Sequence, residues 1–457
     1  MLAIINQYQQ RFNQQFNKLH DLLATLNPVN YIGKIQTANG TIIIASIPMV
    51  KIGDLCLIEE PTIGLSLYAE VVAIDQDKVK LLPFGGLENI SREARVRRLS
   101  ESFQIKISNA MLGKVVNGLG EIIGSLDPGK DTGIVDDSDA QSYPVMRLAP
   151  DPLKRMLIED VLITGVKSID LYITCAKGQR LAIFAGPGMG KTTLMGMIMR
   201  YAKADIIIIA LIGERGREVR EFIDLELDES FKHKCILVVV TSDRPPVEQV
   251  KSAFVAQTIA EHFRDQGKDV VMFVDSITRF ARAQREVGLS AGEPITRGGF
   301  PPSVYLAFPK LMERAGKNEF GSISAFYTVL MEGEATNQDP IADEIKSIVD
   351  GHIVLSKKLV EANHFPAINV LSSLSRVADR LITDEHKNAA RHLRMLMSKH
   401  AELEFLLRVG EYKKGNDASA DESIDKYNDI MNMLKQKVTE HSEYEEGIKV
   451  LVNLSRR

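Results

Sequence analysis

Ala185-Gly186-Pro187-Gly188-Met189-Gly190-Lys191-Thr192 is the stretch that decides how this chain is read. It follows the apolar run Leu181 to Phe184 and opens a helical pattern near Thr193. That is the strand-to-helix setting in which a glycine-rich loop cradles a polyphosphate. Backbone N–H groups must converge from a tight loop, hence Gly186, Gly188 and Gly190. A cation must reach the β and γ phosphates, hence Lys191, and a hydroxyl must face Mg2+, hence Thr192. The start of the helix adds its own positive field. Ala185 stands where the pattern usually has its first glycine, a place that mainly has to be small. The bland alternative is a glycine-rich turn with no ligand. On the functional reading, Gly186, Pro187, Gly188, Met189, Gly190, Lys191, Thr192 and Thr193 form the ATP-binding loop.

Two carboxylates belong with that loop. Glu214 and Arg215 come directly after the Ile-rich run Ile206 to Leu211, so they project from the carboxyl end of a central strand, where open α/β sheets hold ligands. Near a γ-phosphate, Glu214 can orient and polarise the attacking water as general base; an ion pair with a nearby arginine is the structural alternative. Glu218 fits a supporting acid equally well. Val270 to Val274 is a buried-strand pattern that ends in Asp275, which places a carboxylate beside Mg2+. Arg279 supports this site or caps a helix.

Outward from this core, apolar runs alternate with helical patterns between residues 150 and 375: Leu181 to Phe184, Ile206 to Leu211, Ile236 to Val240, Val270 to Val274 and Ile323 to Leu330. This rhythm predicts an α/β P-loop core, a mainly parallel sheet covered on both faces. Residues 30 to 98 read as short β segments, with Asn39-Gly40 as a hairpin turn and Gly53-Asp54 as another break, and predict a small β-barrel. Beyond Arg376 the pattern is helical and polar, interrupted by the turn-rich patch Lys413 to Ala420. At the other end, Ile5, Tyr8, Phe12, Phe16, Leu19, Leu23 and Leu26 form one helical stripe between amide side chains. That stripe suits a partner better than a membrane surface, because its polar face carries only Arg11, Lys18 and Asp21 as charges; packing on its own chain stays open. The expected divisions are a helix over residues 1–27, a barrel over 28–98, the nucleotide-binding core over 99–378 and a helical domain over 379–457.

Composition removes several classes. A net charge of −4 with 45% hydrophobic and 25% charged residues is the balance of an ordinary globular protein. Cys56, Cys175 and Cys235 are too few and too scattered for a disulfide framework, and no secretory leader is read at the N-terminus. No apolar run approaches the roughly 20 residues that span a bilayer. The barrel region balances its acids and bases and holds only Tyr31, Tyr68 and Phe84 as aromatics, which disfavours nucleic acid as a partner.

Taken together, AGPGMGKTT (185–193), LIGERGREVREF (211–222), VMFVDSITRFARAQRE (271–286), GGFPPSV (298–304), GSISAFYTVLMEG (321–333), DGHIVLS (350–356) and HFPAINVLSSLSR (364–376) resemble the type III secretion ATPase family, itself related to rotary ATP synthase subunits. LGKVVNGLGEII (112–123) and VGEYKKGND (409–417) extend the resemblance over nearly the whole chain. It implies a RecA-like core between a β-barrel and a helical domain, assembled as a homohexamer that hydrolyses Mg-ATP between neighbouring subunits to energise protein export, with chaperone release and substrate unfolding. It matches Lys191 and Thr192 to the phosphate and metal ligands, Glu214 to the catalytic glutamate, Arg215 to its neighbouring site arginine and Asp275 to the metal-side acid. Arg376 matches the arginine that reaches into the adjacent subunit's site, with a surface ion pair as its alternative, and Phe365 an aromatic against adenine, with core packing as its alternative. The implied partners are a stator-like regulator on the N-terminal helix, a central stalk, chaperone–substrate complexes and the inner-membrane export apparatus, at which a cytoplasmic ring docks peripherally. Ile341 to Ser347, Glu361 to Phe365 and Leu171 to Cys175 look closer to the injectisome branch than to the flagellar one.

Overall fold

The structure is a computed structural model that describes residues 31–39, 41–100, 102–127, 129, 138–331 and 339–456. The helix predicted over residues 1–27 lies outside them, as does Gly40 of the predicted hairpin turn. The chain divides after Phe103 into two compact units.

The first unit is a closed six-stranded barrel. Its strands run in the order Ile32–Asn39, Ile42–Ser46, Lys78–Pro83, Leu65–Asp75, Leu55–Glu60 and Arg95–Ser100, and the last pairs back onto the first. Alternation closes it: Ile43 and Ala45, Val79 and Leu81, Cys56 and Ile58 point into one apolar core while their neighbours face out. The buried Asp54 accepts from Arg98 Nε at 2.6 Å and from the Lys51 N–H at 2.8 Å, so this buried acid is paired.

The second unit is built on a ten-stranded sheet. Its path runs Leu374–Ser375, Gly351–Val354, Arg180–Ala185, Ser322–Leu330, Asp269–Asp275, Ile206–Glu214, Cys235–Thr241, Lys114–Asn117 and Ile122–Ser125, with Gly316–Lys317 pairing off the path onto Ser322–Leu330. All five apolar runs named above are strands, and all pair in parallel. Every residue of Ile206–Glu214 is buried, because helices cover both faces of a parallel sheet and a strand so covered can be apolar throughout. The 20-residue helix Pro246–Asp265 packs across four of these strands and is buried from Val247 to Arg264 save for Gln249.

Beyond the sheet, helices Asp384–Val409, Ala418–Leu434 and Tyr444–Arg456 pack on one another. Leu393, Leu396, Ile430 and Leu451 belong to the same continuous apolar cluster as Met195 and Ile198 of the helix Lys191–Tyr201 that follows the glycine-rich loop. The C-terminal helices are thus fused to the nucleotide-binding core through shared burial, at about 1.5–3 kcal/mol per large apolar side chain. No helix among the described residues is long and apolar enough to cross a membrane.

Candidate active site

The glycine-rich loop leaves strand Arg180–Ala185 and enters helix Lys191–Tyr201. Gly188 and Gly190 take φ of +72° and +82°, conformations that an L side chain resists, which is why the loop needs glycine there. Gly190 is the N-cap, so the unpaired N–H groups of the first turn face whatever sits above the loop. Residues 186–193 line a cavity of about 450 Å³ together with Glu214, Glu218, Asp275 and Arg279.

The carboxylates reach that cavity by sheet register. Strands Arg180–Ala185, Ser322–Leu330, Asp269–Asp275 and Ile206–Glu214 are consecutive and parallel, so their carboxyl ends share one edge. Asp275 ends its strand 3% exposed; Lys191 Nζ is ion-paired to its Oδ1, and the Thr328 hydroxyl donates to the same oxygen at 2.7 Å. A register irregularity between Ile212 and Glu214, with Gly213 at φ +65°, re-aims Glu214 at the end of its strand.

Glu214 is held by Arg279, whose Nη2 donates to Glu214 Oε2 at 2.9 Å while Nη1 donates to the Gly213 carbonyl. Glu214 thus lines the cavity beside the glycine-rich loop and is ion-paired with Arg279 there. Burial pushes its carboxyl up to about 8, its hydrogen bond to Glu218 and the charge of Asp275 push the same way, and the Arg279 and Lys191 cations oppose them. Glu218 moves in the opposite direction, below the usual carboxylate range, chiefly through that shared hydrogen bond.

Three predicted residues stand off the cavity. Arg215 caps helix Gly216–Leu225 with a side chain 78% exposed, 3.7 Å from Glu218. Phe365 is 42% exposed in the turn after helix Lys357–Glu361, and its carbonyl accepts from the Gln436 N–H at 3.0 Å. Arg376 follows the edge strand Leu374–Ser375, its N–H bonded to the Asp350 carbonyl and its Nη2 to the Lys346 carbonyl at 3.1 Å. Asp350 also takes the Arg180 side chain at 3.0 Å, which puts Arg376 level with the start of the loop's own strand. The glycine-rich loop begins at the opposite end, about 20 Å away at roughly 3.3 Å per strand residue.

Comparison with known proteins gives three contiguous matches. The ATP synthase alpha/beta family, nucleotide-binding domain, matches residues 165–375, the beta-barrel domain of the same family 35–100, and the T3SS EscN ATPase C-terminal domain 382–453. A type 3 secretion system ATPase of Xanthomonas euvesicatoria is 45% identical over 433 residues, 95% of this chain and 96% of the relative. The chain belongs to the type 3 secretion ATPase family. The flagellum-specific ATP synthase of Bacillus subtilis is nearly as similar, 42% identical over 96% of this chain and 98% of its own. Structures of the assembled ATPase EscN of the enteropathogenic E. coli type III secretion system, alone and with its central stalk EscO, give TM-scores of 0.86 and 0.83 at 46% and 45% identity. Each covers 93% of this chain and 100% of the other. The resemblance read from the sequence, its α/β core with barrel and C-terminal helices, and the reading as an ATP-binding ATPase of type III secretion are borne out.

An ATPase of this family implies a divalent metal beside the phosphates. No group of three or more His, Cys, Asp or Glu among the described residues could hold a metal unaided. That fits Mg2+, which takes one or two protein oxygens and completes its shell with water and phosphate. Thr192 in the loop and the buried carboxyl of Asp275 offer hard oxygens at one cavity, so the residues suit the ion.

Arg279's grip on Glu214 and Thr328's bond to Asp275 are the features sequence reading missed or left open. The fourth-residue spacing of Arg279 after Asp275 was its only signal. Thr328 gave none, lying inside an apolar run.

Proposed function

We propose that this ATPase hydrolyses Mg-ATP at sites shared between neighbours in a homohexameric ring, with Glu214 as general base, and that the ring serves an injectisome, releasing chaperones and unfolding export substrates. Glu214 on the rim of the phosphate cavity carries the catalytic reading. The loop N–H groups and helix N-terminus bind the polyphosphate, Lys191 transfers from Asp275 to the β and γ oxygens, and Glu214 orients and polarises water once ionised. Mg2+, when bound by Thr192 and Asp275, would draw negative charge from the transferring phosphoryl group. Glu214→Gln should bind ATP like the parent and lose turnover; undiminished turnover would defeat the assignment.

The ring reading is supported by the position of Arg376, exposed at the far end of the sheet from its own phosphate loop, and by the likeness to the assembled EscN. An arginine so far from its own loop suits another copy's nucleotide, where it would stabilise charge in the transition state. Arg215, on the exposed rim, and the partly exposed Phe365 belong in this account to the completed interface and the adenine, respectively. The likeness to EscN with EscO supports a central stalk as a partner. The N-terminal stripe supports a stator-like regulator near the inner-membrane export apparatus, with the ring on the cytoplasmic side: Phe12→Asp should abolish regulator binding and leave basal hydrolysis nearly unchanged. The similarity to a flagellum-specific relative favours a second reading, export for a flagellum. A crosslinked pull-down from the native host separates the two by recovering injectisome or flagellar components.

A further inference from the structure

Asp275 and the glycine-rich loop do not lie on adjacent strands. Between strand Arg180–Ala185 and strand Asp269–Asp275 runs Ser322–Leu330, parallel to both, with Thr328 in register with Ile183 on one side and Tyr327 with Val274 on the other. Thr328 is 0% exposed. A hydroxyl at that depth must be bonded, and its choices are the Val274 carbonyl at 3.3 Å and Asp275 Oδ1 at 2.7 Å. The shorter, charge-assisted contact is the stronger one. Three residues after Asp275, in the first turn of helix Ile277–Ala291, Thr278 Oγ1 accepts from the Leu330 N–H at 2.9 Å, a second tie at this level.

Asp275 Oδ1 therefore has two donors with different futures. Lys191 is bonded to it here, yet a polyphosphate in the cavity needs the same ammonium. When Lys191 leaves, the carboxylate keeps a single fixed donor, and a carboxylate torsion is broad and roughly two-fold when nothing pins it. We infer that Thr328 is a positioning residue for the metal site: its hydroxyl holds Asp275 Oδ1 while Lys191 moves to the phosphates, leaving Oδ2 turned toward the ion's place. This rests on the reading of Asp275 as the metal-side acid. The competing account is a buried threonine that merely satisfies its hydroxyl and contributes stability alone.

The test compares ADP affinity with Mg2+ and with EDTA, by calorimetry on the full chain, for Thr328→Val, Thr328→Ser and Asp275→Asn. Thr328→Val removes the hydroxyl at nearly constant shape, and loss of a hydrogen bond to a charged group predicts about a tenfold fall in the Mg2+-dependent gain of affinity, with affinity in EDTA unchanged. Thr328→Ser should restore the gain. Equal weakening of ADP in Mg2+ and EDTA, or a full Mg2+ gain in Thr328→Val, overturns the inference. If Thr328→Val does not fold, Thr328→Ala is judged by the same two affinities. Asp275→Asn keeps the two failures apart: a Mg2+ gain that survives in it defeats the metal-side reading of Asp275, whereas a gain lost in Asp275→Asn and kept in Thr328→Val defeats only the role of Thr328.

Discussion

On the proposed assignment as general base, Glu214 must do two things that conflict. A general base must be ionised when water is activated, yet burial and a shared hydrogen bond with Glu218 favour its protonated form up to about pH 8. A base tuned to near the working pH couples availability to proton affinity, which is the useful compromise. The sign is definite: kcat/KM, which reports the free enzyme, should rise with pH as Glu214 loses its proton between its ordinary 4.5 and about 8. Because Glu218 accepts from the protonated form, Glu218→Ala should move this acidic limb to lower pH, even if kcat itself falls. A limb that stays in place under that substitution would show that another group titrates. Arg279 acts in the opposite sense: its cation favours ionised Glu214, so Arg279→Ala should move the limb upward on the same pH–rate plot.

At the scale of elements, a buried ion pair sets the position of one large helix. Arg314, just past helix Pro302–Met312, is 0% exposed; its Nε and Nη2 clasp the two oxygens of Glu261 at 2.7 and 2.9 Å, and its Nη1 donates to the Val145 carbonyl at 2.8 Å. Three distant stretches, around residues 145, 261 and 314, meet on one guanidinium. Arg314→Ala would leave buried Glu261 with only the partly exposed Arg147, at 3.2 Å, and strip the Val145 carbonyl of its donor, so it should cost up to about 3–5 kcal/mol, read as a large fall in thermal midpoint. Paired replacement of Arg314 and Glu261 by apolar residues should cost much less. No such pair is visible in sequence, because 53 residues separate its members. What could be read was local. Ile206–Glu214 is legible because a strand covered on both faces is apolar throughout, and the phosphate loop because its chemistry is contiguous. Lys114–Asn117 and Gly351–Val354, four residues each, are too short and too polar to announce themselves, though they widen the sheet. Thr328 escaped, and the role of Arg279 stayed open, for the same reason as Arg314: their partners are far off in sequence and are brought close by the fold alone.

At the scale of the whole molecule, the proposed role of Arg376 leaves the site within one chain unfinished. The cavity holds the phosphate loop, Glu214 and Asp275, but Arg376 stands at the other end of the sheet, about 20 Å of strand away. No side-chain rotation closes that distance. On the proposed assignment of Arg376, hydrolysis would depend on assembly, and a ring in which each copy supplies its neighbour's arginine would make turnover report on the integrity of the interface. The most direct measurement mixes Arg376→Ala subunits with Lys191→Ala subunits, each inactive alone, and follows ATP hydrolysis in rings confirmed to contain both. Activity should return in part, because an intact Lys191 can then meet an intact Arg376 across one class of interface; mixed rings that remain as inactive as either parent would contradict a site shared between subunits.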